Sequence, residues 1–158
     1  MKFIPALSCG LATLHVASAA PAPQTLPGTA DAVSVSVSYD QKYDVSDSSL
    51  TTVSCSDGEN GLITKGYSTF GSLPSFPLIG GAPTVDGWNS PNCGKCYQLQ
   101  YTGETVETIN VTAIDAAPGG FNIGLTAMNR LTNNQATQLG RITATYTLVS
   151  NSACGMKD

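Results

Sequence analysis

Charged residues are scarce in this sequence, and histidine is nearly absent. Charged side chains make up 11% of the 158 residues, and the single histidine, His15, lies near the amino terminus. Acidic residues outnumber basic ones by eleven to seven, and the lysines and arginines do not cluster along the chain. Because binding to a phosphate backbone needs such clusters, the composition excludes nucleic acid as a partner.

Long apolar segments are also missing. The apolar run near the amino terminus is too short to span a bilayer and is interrupted by Pro5, so we expect no membrane association. Lys2, the apolar run and Ala17-Ser18-Ala19 instead follow the order of a secretory signal peptide. We therefore predict a signal peptide at residues 1–19 and a secreted, extracellular protein.

Removal of that segment would leave no histidine and four cysteines: Cys55, Cys93, Cys96 and Cys154. Catalytic systems in which histidine activates serine or cysteine are thereby excluded. A pair of carboxylates, as glycosidases use, is the remaining hydrolytic route, and no motif in the sequence marks such a pair. We therefore predict that the protein is not an enzyme.

Cys93 and Cys96 form a CxxC motif, which is typical of redox sites, of zinc sites or of structural disulfides. Zinc would have only thiolate ligands here, which an oxidising compartment disfavours, so we predict no metal and no cofactor. A redox CxxC usually opens a helix, whereas the residues after Cys96 have the character of a strand. Two structural disulfides are favoured. Four cysteines allow three pairings, and the one we favour joins the CxxC to both Cys55 and Cys154.

Residues 33–158 have the pattern of one mainly β domain with short helices, preceded by a flexible leader or short propeptide at residues 20–32. Apolar patterning predicts strands at residues 33–39, 97–101, 107–114, 121–123 and 142–148. Short helices are predicted at residues 125–131 and 133–139, and Gly140 ends the second. We interpret residues 58–91 as a long turn-rich stretch. Many short strands favour a closed barrel, because a barrel leaves no exposed edge.

Several motifs resemble those of the cerato-platanins, a family of small secreted fungal proteins. The resemblance runs from about Val33 to Cys154 and is carried by Val35-Ser36-Val37-Ser38-Tyr39-Asp40, Ser54-Cys55-Ser56-Asp57-Gly58, Ile79-Gly80-Gly81, Gly87-Trp88-Asn89-Ser90-Pro91-Asn92-Cys93-Gly94-Lys95-Cys96-Tyr97, Ala113-Ile114-Asp115 and Gly120-Phe121-Asn122-Ile123. It implies a six-stranded double-psi β-barrel, related to the barrels of expansins, barwin and one group of endoglucanases. It also implies the disulfides Cys55–Cys93 and Cys96–Cys154.

The same resemblance implies a non-catalytic, cell-wall-associated protein that binds chitin or β-glucan oligomers, such as those of cellulose. Expansin-like loosening of cellulose, elicitation of plant defence and antigenic or allergenic behaviour are part of this expectation. A first alternative is a surface-active, self-associating effector that host immune receptors recognise, with incidental sugar binding. A second alternative is a cryptic glycosidase.

Asp115 and Asn122 are the central candidates for sugar contacts. Asp115 follows a predicted core strand, and its alternative role is to organise the turn at residues 116–120 through backbone N–H groups. In the lytic barrels related to this family a second aspartate stands where this sequence has Asn122, and an amide is no general acid or base. Ser38 and Asn122 are expected to flank Asp115, and Asn92 is a further candidate polar contact.

Trp88 and Tyr39 are candidate aromatic contacts for pyranose rings, since an exposed aromatic face stacks on a sugar. For Trp88, the only tryptophan, we favour a structural, partly buried role, and Tyr39 could equally pack inward. Asn110 begins the sequon Asn110-Val111-Thr112 and is a candidate for glycosylation, provided that it faces outward from its strand.

Overall fold

A computed structural model describes residues 31–157, so the predicted signal peptide and most of the predicted leader lie outside the described residues. Six strands and two short helices are present, together with 3-10 turns at Gln41–Asp44, Leu50–Thr52, Phe70–Ser72 and Asn151–Cys154. The strands are β1 (Val33–Tyr39), β2 (Ile79–Ala82), β3 (Cys96–Thr102), β4 (Val106–Ala116), β5 (Phe121–Ile123) and β6 (Arg141–Val149). The helices are α1 (Leu125–Leu131) and α2 (Ala136–Leu139).

The six strands close into a barrel in the order β1-β5-β2-β4-β3-β6, with β6 pairing back to β1. The pairs β1–β5 and β2–β4 are parallel, and the other neighbours are antiparallel. Its core includes an edge-to-face cluster of Tyr97, Phe121 and Tyr146, whose ring centroids lie 5.3 to 5.8 Å apart. The predicted double-psi β-barrel is confirmed.

Both predicted disulfides, Cys55–Cys93 and Cys96–Cys154, are present. They leave the CxxC in opposite directions. One reaches the loop after β1, and the other reaches the 3-10 turn that follows β6. The CxxC therefore joins the loop after β1 and the carboxyl-terminal turn to one short segment at the start of β3.

Two local predictions were wrong. The turn-rich stretch contains β2, whose two glycines hide its strand character even though all four of its residues are buried. A β-carbon on Gly80 would collide with the backbone oxygen of Asn122, so only glycine lets β5 approach this closely. The predicted second helix begins at Ala136, because Asn133 and Asn134 have left-handed backbones with φ of 50° and 64°.

None of the helices within residues 31–157 is long and apolar enough to cross a bilayer. Across the same residues no group of histidine, cysteine, aspartate or glutamate side chains could hold a metal ion.

Candidate functional site

One row of residues runs in register across five of the six strands. Asp115 on β4 pairs with Gly81 on β2, and Gly81 pairs with Asn122 on β5. Asn122 in turn pairs with Ser38 on β1, and Ser38 pairs with Arg141 on β6. We call Asp115, Gly81, Asn122, Ser38 and Arg141 the polar row. The sequence predicted Asp115, Asn122 and Ser38 as neighbours, and the barrel places all three in this row.

A β-bulge sets the position of Asp115. The pairing of β2 with β4 shifts between Gly80 and Gly81, so that Gly80 faces Ala113 and Gly81 faces Asp115. Ala113 and Ile114 are both fully buried, whereas the side chain of Asp115 is 14% exposed. Because a bulge inserts one extra residue, it redirects the side chains that follow it. The bulge therefore ends the buried part of β4 and brings a carboxylate to the surface.

The Asp115 carboxylate accepts hydrogen bonds from five donors. Oδ1 accepts from the Ser54 backbone N–H at 3.0 Å, the Ser54 hydroxyl at 2.9 Å and the Ala116 backbone N–H at 2.9 Å. Oδ2 accepts from the Tyr43 hydroxyl at 3.0 Å and from Lys42 Nζ at 3.3 Å. A carboxylate offers about four lone-pair sites, so these donors fill it. Asp115 thus joins two loops to β4, a wider role than the turn at residues 116–120.

These neighbours also set the charge of the site. Burial alone would raise the pKa of Asp115, but the hydrogen bonds from Ser54 and Tyr43 and the positive charge of Lys42 outweigh burial and lower it. Burial, followed by the Asp115 charge, raises the pKa of Tyr43. At neutral pH Asp115 is therefore ionised and Tyr43 remains a hydrogen-bond donor. An acid that is already ionised cannot protonate a leaving group, which disfavours Asp115 as a glycosidase acid.

Ser38 and Asn122 form the middle of the row. The Ser38 hydroxyl donates to Asn122 Oδ1 at 3.3 Å, and both residues are half-buried. With Arg141 they line a depression of about 150 Å³ beside the turn that precedes β5. Arg141 is held in turn by donation from its Nη1 to the Ser36 hydroxyl at 2.8 Å. Hydroxyl, amide and guanidinium groups therefore lie side by side at one open surface.

Gly81 leaves a gap in the row between Asn122 and Asp115. A β-carbon at this position would lie 2.9 Å from the Ala117 β-carbon and 3.4 Å from the Tyr43 hydroxyl. Any other residue would therefore crowd the contact between Tyr43 and Asp115. Gly81 is itself buried, so the missing side chain leaves room for the contact between Tyr43 and Asp115 beneath the row.

Trp88 is exposed, so the structural, partly buried role favoured for it was wrong. Its side chain lies on a loop with 65% of its surface accessible, and its Nε1 donates to Asp57 Oδ1 at 2.6 Å. Asp57 follows Ser54, the partner of Asp115, by three residues, which span at most about 11 Å when fully extended. The loop that contains Ser54 and Asp57 therefore forms hydrogen bonds with both the Asp115 carboxylate and the Trp88 indole.

Tyr39 and Asn92 are not part of the row. Tyr39 follows Ser38 on β1, so its side chain points to the opposite face of the sheet, where it packs against the core. Asn92 lies in the CxxC loop, and its Nδ2 donates to the Thr84 carbonyl at 2.6 Å. Asn92 therefore fixes the loop backbone, and its role as a sugar contact stays a prediction.

Asn110 faces the turn that follows β6 and is half-buried. Its Nδ2 donates to the Ala153 carbonyl at 3.2 Å, and within the described residues its Oδ1 is buried without a hydrogen-bond partner. Attachment of a glycan to Nδ2 would change this contact. Glycosylation of the sequon stays a prediction.

Sequence reasoning missed three residues that complete the site. Lys42 and Ser54 come from loops, and no local pattern indicates that these loops fold back onto β4. Arg141 begins β6 directly after the glycine that ends α2, and only the strand register places it beside Ser38. A known pairing of β1 with β6 would have been enough to find Arg141.

The fold and the site define a class: a small, disulfide-bonded, closed six-stranded β-barrel with a polar row across one surface. The cerato-platanin family model matches residues 35–156, and the chain belongs to the cerato-platanin family, whose members are secreted fungal proteins. The allergen Asp f 15 of Aspergillus fumigatus is 56% identical over 154 residues, which cover 98% of this chain and 97% of that protein.

Solved structures agree with this assignment. The crystal structure of cerato-platanin 3 from M. perniciosa matches with a TM-score of 0.75 and 52% identity, covering 78% of this chain and 100% of that one. The solution structure of the fungal elicitor cerato-platanin matches with a TM-score of 0.68 and 38% identity, covering 76% of this chain and 96% of that one. Both similarities span nearly the whole barrel.

Proposed function

We propose that this protein is a secreted, non-catalytic, cell-wall-associated protein that binds neutral β-1,4-linked polysaccharides, chitin or cellulose oligomers, along the polar row. The observation that supports this proposal is the row itself, in which four of the five strands present a hydroxyl, an amide, a carboxylate and a guanidinium group. Sugar hydroxyls both donate and accept hydrogen bonds, so a mixed row of this kind complements them.

The charge at the Asp115 end of the row supports a neutral ligand. Lys42 Nζ lies 3.3 Å from Asp115 Oδ2, so the negative charge of the carboxylate is already balanced within the protein. An anionic ligand would meet that carboxylate, and a cationic ligand would compete with a lysine already in place. A neutral saccharide encounters neither obstacle.

The row residues have different tasks in this proposal. Ser38, Asn122 and Arg141 make the direct contacts, because each keeps donors or acceptors beyond the contacts described. Asp115 positions Tyr43 and the two loops. Its one exchangeable partner is Lys42, whose side chain is 51% exposed and can give way to a sugar hydroxyl. Each hydrogen bond contributes only about 1 kcal/mol, so binding is weak and reversible.

Such binding would loosen a wall without cutting it. Hydrogen bonds to the row compete with the bonds between neighbouring polysaccharide chains, as expected for an expansin-like action. A glycosidase would need a second carboxylate close to Asp115 as acid, base or nucleophile. Asn122 occupies the corresponding place in the row, and an amide cannot transfer the required proton.

The test is a titration of short chitin and cellulose oligomers followed by amide NMR shifts. Shifts should concentrate at Ser38, Asn122 and Arg141, and Asn122→Ala should weaken binding about fivefold. Gln100→Ala is the matched control, because it removes an exposed amide from β3, a strand outside the row. Shifts that cluster elsewhere would refute the site, and newly released reducing ends in the same sample would refute the non-catalytic part.

A second candidate function is recognition of this protein by a host, with sugar binding incidental. Relatives are named an allergen and an elicitor, and several large apolar side chains are about half exposed or more on this surface. These exposed residues, which could also support self-association at interfaces, are Val33, Val45, Trp88, Val106 and Leu148. Full defence elicitation by Asn122→Ala protein, despite its weakened sugar binding, would favour this function over the first.

A further inference from the structure

A second groove, separate from the polar row, lies where three segments meet beside the CxxC. Its volume is about 390 Å³. The loop after β1, the CxxC segment and the carboxyl-terminal segment each contribute one of its walls. We call it the lysine groove, and the lining residues that matter here are Lys65, Tyr67, Cys93, Lys95, Met156 and Lys157.

The two disulfides hold the walls of this groove together. Cys55–Cys93 ties the first loop to the CxxC segment, and Cys96–Cys154 ties the carboxyl-terminal segment to the same place. Crosslinked walls lose little conformational freedom when a ligand binds, so less of the interaction energy is spent on ordering them. The groove is therefore preorganised for ligand binding, although its walls are loops.

Positive charge is concentrated in the groove. Residues 31–157 contain six basic side chains, and three of them, Lys65, Lys95 and Lys157, line this one groove. No carboxylate from the described part of the chain lines it, although acidic residues outnumber basic ones in the whole sequence. The groove is therefore positively charged, whereas the whole sequence has more acidic than basic residues.

Lys65 lies close enough to Lys95 to be affected by its positive charge, and no carboxylate within residues 31–157 pairs with either lysine. Its Nζ donates to the Cys93 carbonyl at 3.1 Å, which uses one of its three donors. Burial, followed by the positive charge of Lys95, lowers the pKa of Lys65. Among residues 31–157 the one ion pair is Lys42 with Asp115, so neither Lys65 nor Lys95 has a carboxylate partner there. An anion placed between the two ammonium groups would relieve their repulsion.

We propose that the lysine groove binds an acidic oligosaccharide through its carboxylate groups. Three lysines on three separate walls suit a ligand with repeated, spaced charges better than a single small anion. Tyr67, which is half-buried, adds apolar surface on which a pyranose ring can rest. This site goes beyond the proposed function, which concerns neutral sugars at the polar row.

The test uses a short oligogalacturonate, its fully methyl-esterified form and inorganic phosphate, each titrated into the whole protein and followed by NMR. The oligogalacturonate should shift amides of Tyr67, Lys95 and Met156 and leave those of Ser38 and Asn122 unchanged. The Lys65→Gln/Lys95→Gln variant should bind about tenfold more weakly, and added salt should weaken binding to the wild type. Arg130→Gln is the matched control, because Arg130 is an exposed basic residue of α1 outside both sites, and this variant should bind like the wild type.

Three results would overturn the proposal. Equal binding of the methyl ester would show that charge plays no part, and phosphate binding as tight as that of the oligomer would show a site for small anions only. Shifts at the polar row would place the acidic sugar in the other site. Thermal unfolding of each variant distinguishes a lost contact from a lost fold. Chitin oligomers serve as the independent probe of the row, so failure of either proposal leaves the other intact.

Discussion

Lysine side chains have opposite electrostatic surroundings in the polar row and in the lysine groove. At the row, Lys42 lies 3.3 Å from the Asp115 carboxylate and 4.6 Å from the centre of the Tyr43 ring. In the groove, the positive charge of Lys95 acts unfavourably on Lys65, and among residues 31–157 the one acceptor for Lys65 Nζ is a backbone carbonyl. A carboxylate that a lysine already balances suits a neutral ligand at that end of the row, whereas lysines without a carboxylate partner suit an anion. The same side chain therefore favours different ligands in the two regions.

The two regions also share one covalent link. Cys55 follows Ser54, the partner of Asp115, and the Cys55 backbone N–H donates to the Ile114 carbonyl on β4. Its disulfide partner, Cys93, lines the lysine groove. The other disulfide, Cys96–Cys154, contributes to the groove alone. The contrast between the polar row and the lysine groove can therefore be tested by removing the two disulfides one at a time.

Opening either disulfide should have the largest effect on stability. Cys55→Ala/Cys93→Ala and Cys96→Ala/Cys154→Ala should each lower the free energy of unfolding by about 2–5 kcal/mol, measured by denaturant titration. Below the melting temperature, the first pair should weaken chitin and oligogalacturonate binding together. The second pair should weaken only oligogalacturonate binding. Equal losses of both ligands in both variants would show that the two sites are not separately supported.

Asp115→Ala should have the second largest effect on stability and lower the free energy of unfolding by about 2–4 kcal/mol. The change leaves the donors of Ser54, Tyr43 and Ala116 without their acceptor in a partly buried place. The five donors around Asp115 argue against a nearly unchanged melting temperature. Asp86→Ala is the control, since Asp86 is an exposed loop aspartate. A loss no larger than that of the control would show that the network is not stabilising.

The pH dependence of stability should report the same network. Because the pKa of Asp115 is lowered on folding, its contribution to stability is present above the unfolded-state pKa and disappears as pH falls through the folded-state pKa. Wild-type protein should therefore lose stability on acidification below about pH 5, and Asp115→Asn protein should lose less. Denaturant midpoints measured across this range give the comparison. Parallel curves for the two proteins would contradict the lowered pKa.

The sequence predicted most of the barrel because strand alternation and glycine positions are local signals. β1, β5 and α1 lie where they were predicted, and β3, β4 and β6 extend by one or two residues beyond the predictions. β2 was missed since Gly80 and Gly81 are selected by close packing against β5, which no local pattern reveals. Asp115, Asn122 and Ser38 could be predicted from motifs, whereas Lys42, Ser54 and the lysine groove depend on loops that meet only after folding.

Lysine substitutions in the two regions should change stability by small amounts of opposite sign. Lys42→Gln removes a partner of Asp115 and should lower the free energy of unfolding by about 0.5 kcal/mol, a small value because Lys42 is half-exposed. Lys95→Gln removes repulsion from Lys65 and should raise the free energy of unfolding by a similar amount. Added salt should reduce both differences. Changes of the same sign would contradict the contrast between balanced and unbalanced charge.

Trp88 should give the smallest effect on stability and the clearest optical signal. Its indole is 65% exposed, so Trp88→Phe should change the free energy of unfolding by no more than about 0.5 kcal/mol, even though the hydrogen bond to Asp57 is lost. As the only tryptophan, it reports directly on which region a ligand occupies. The loop from Ser54 to Asp57 joins it to the polar row, so chitin oligomers should shield it from acrylamide quenching and oligogalacturonate should not. Shielding by the acidic oligomer alone would assign Trp88 to the lysine groove and reverse this part of the comparison.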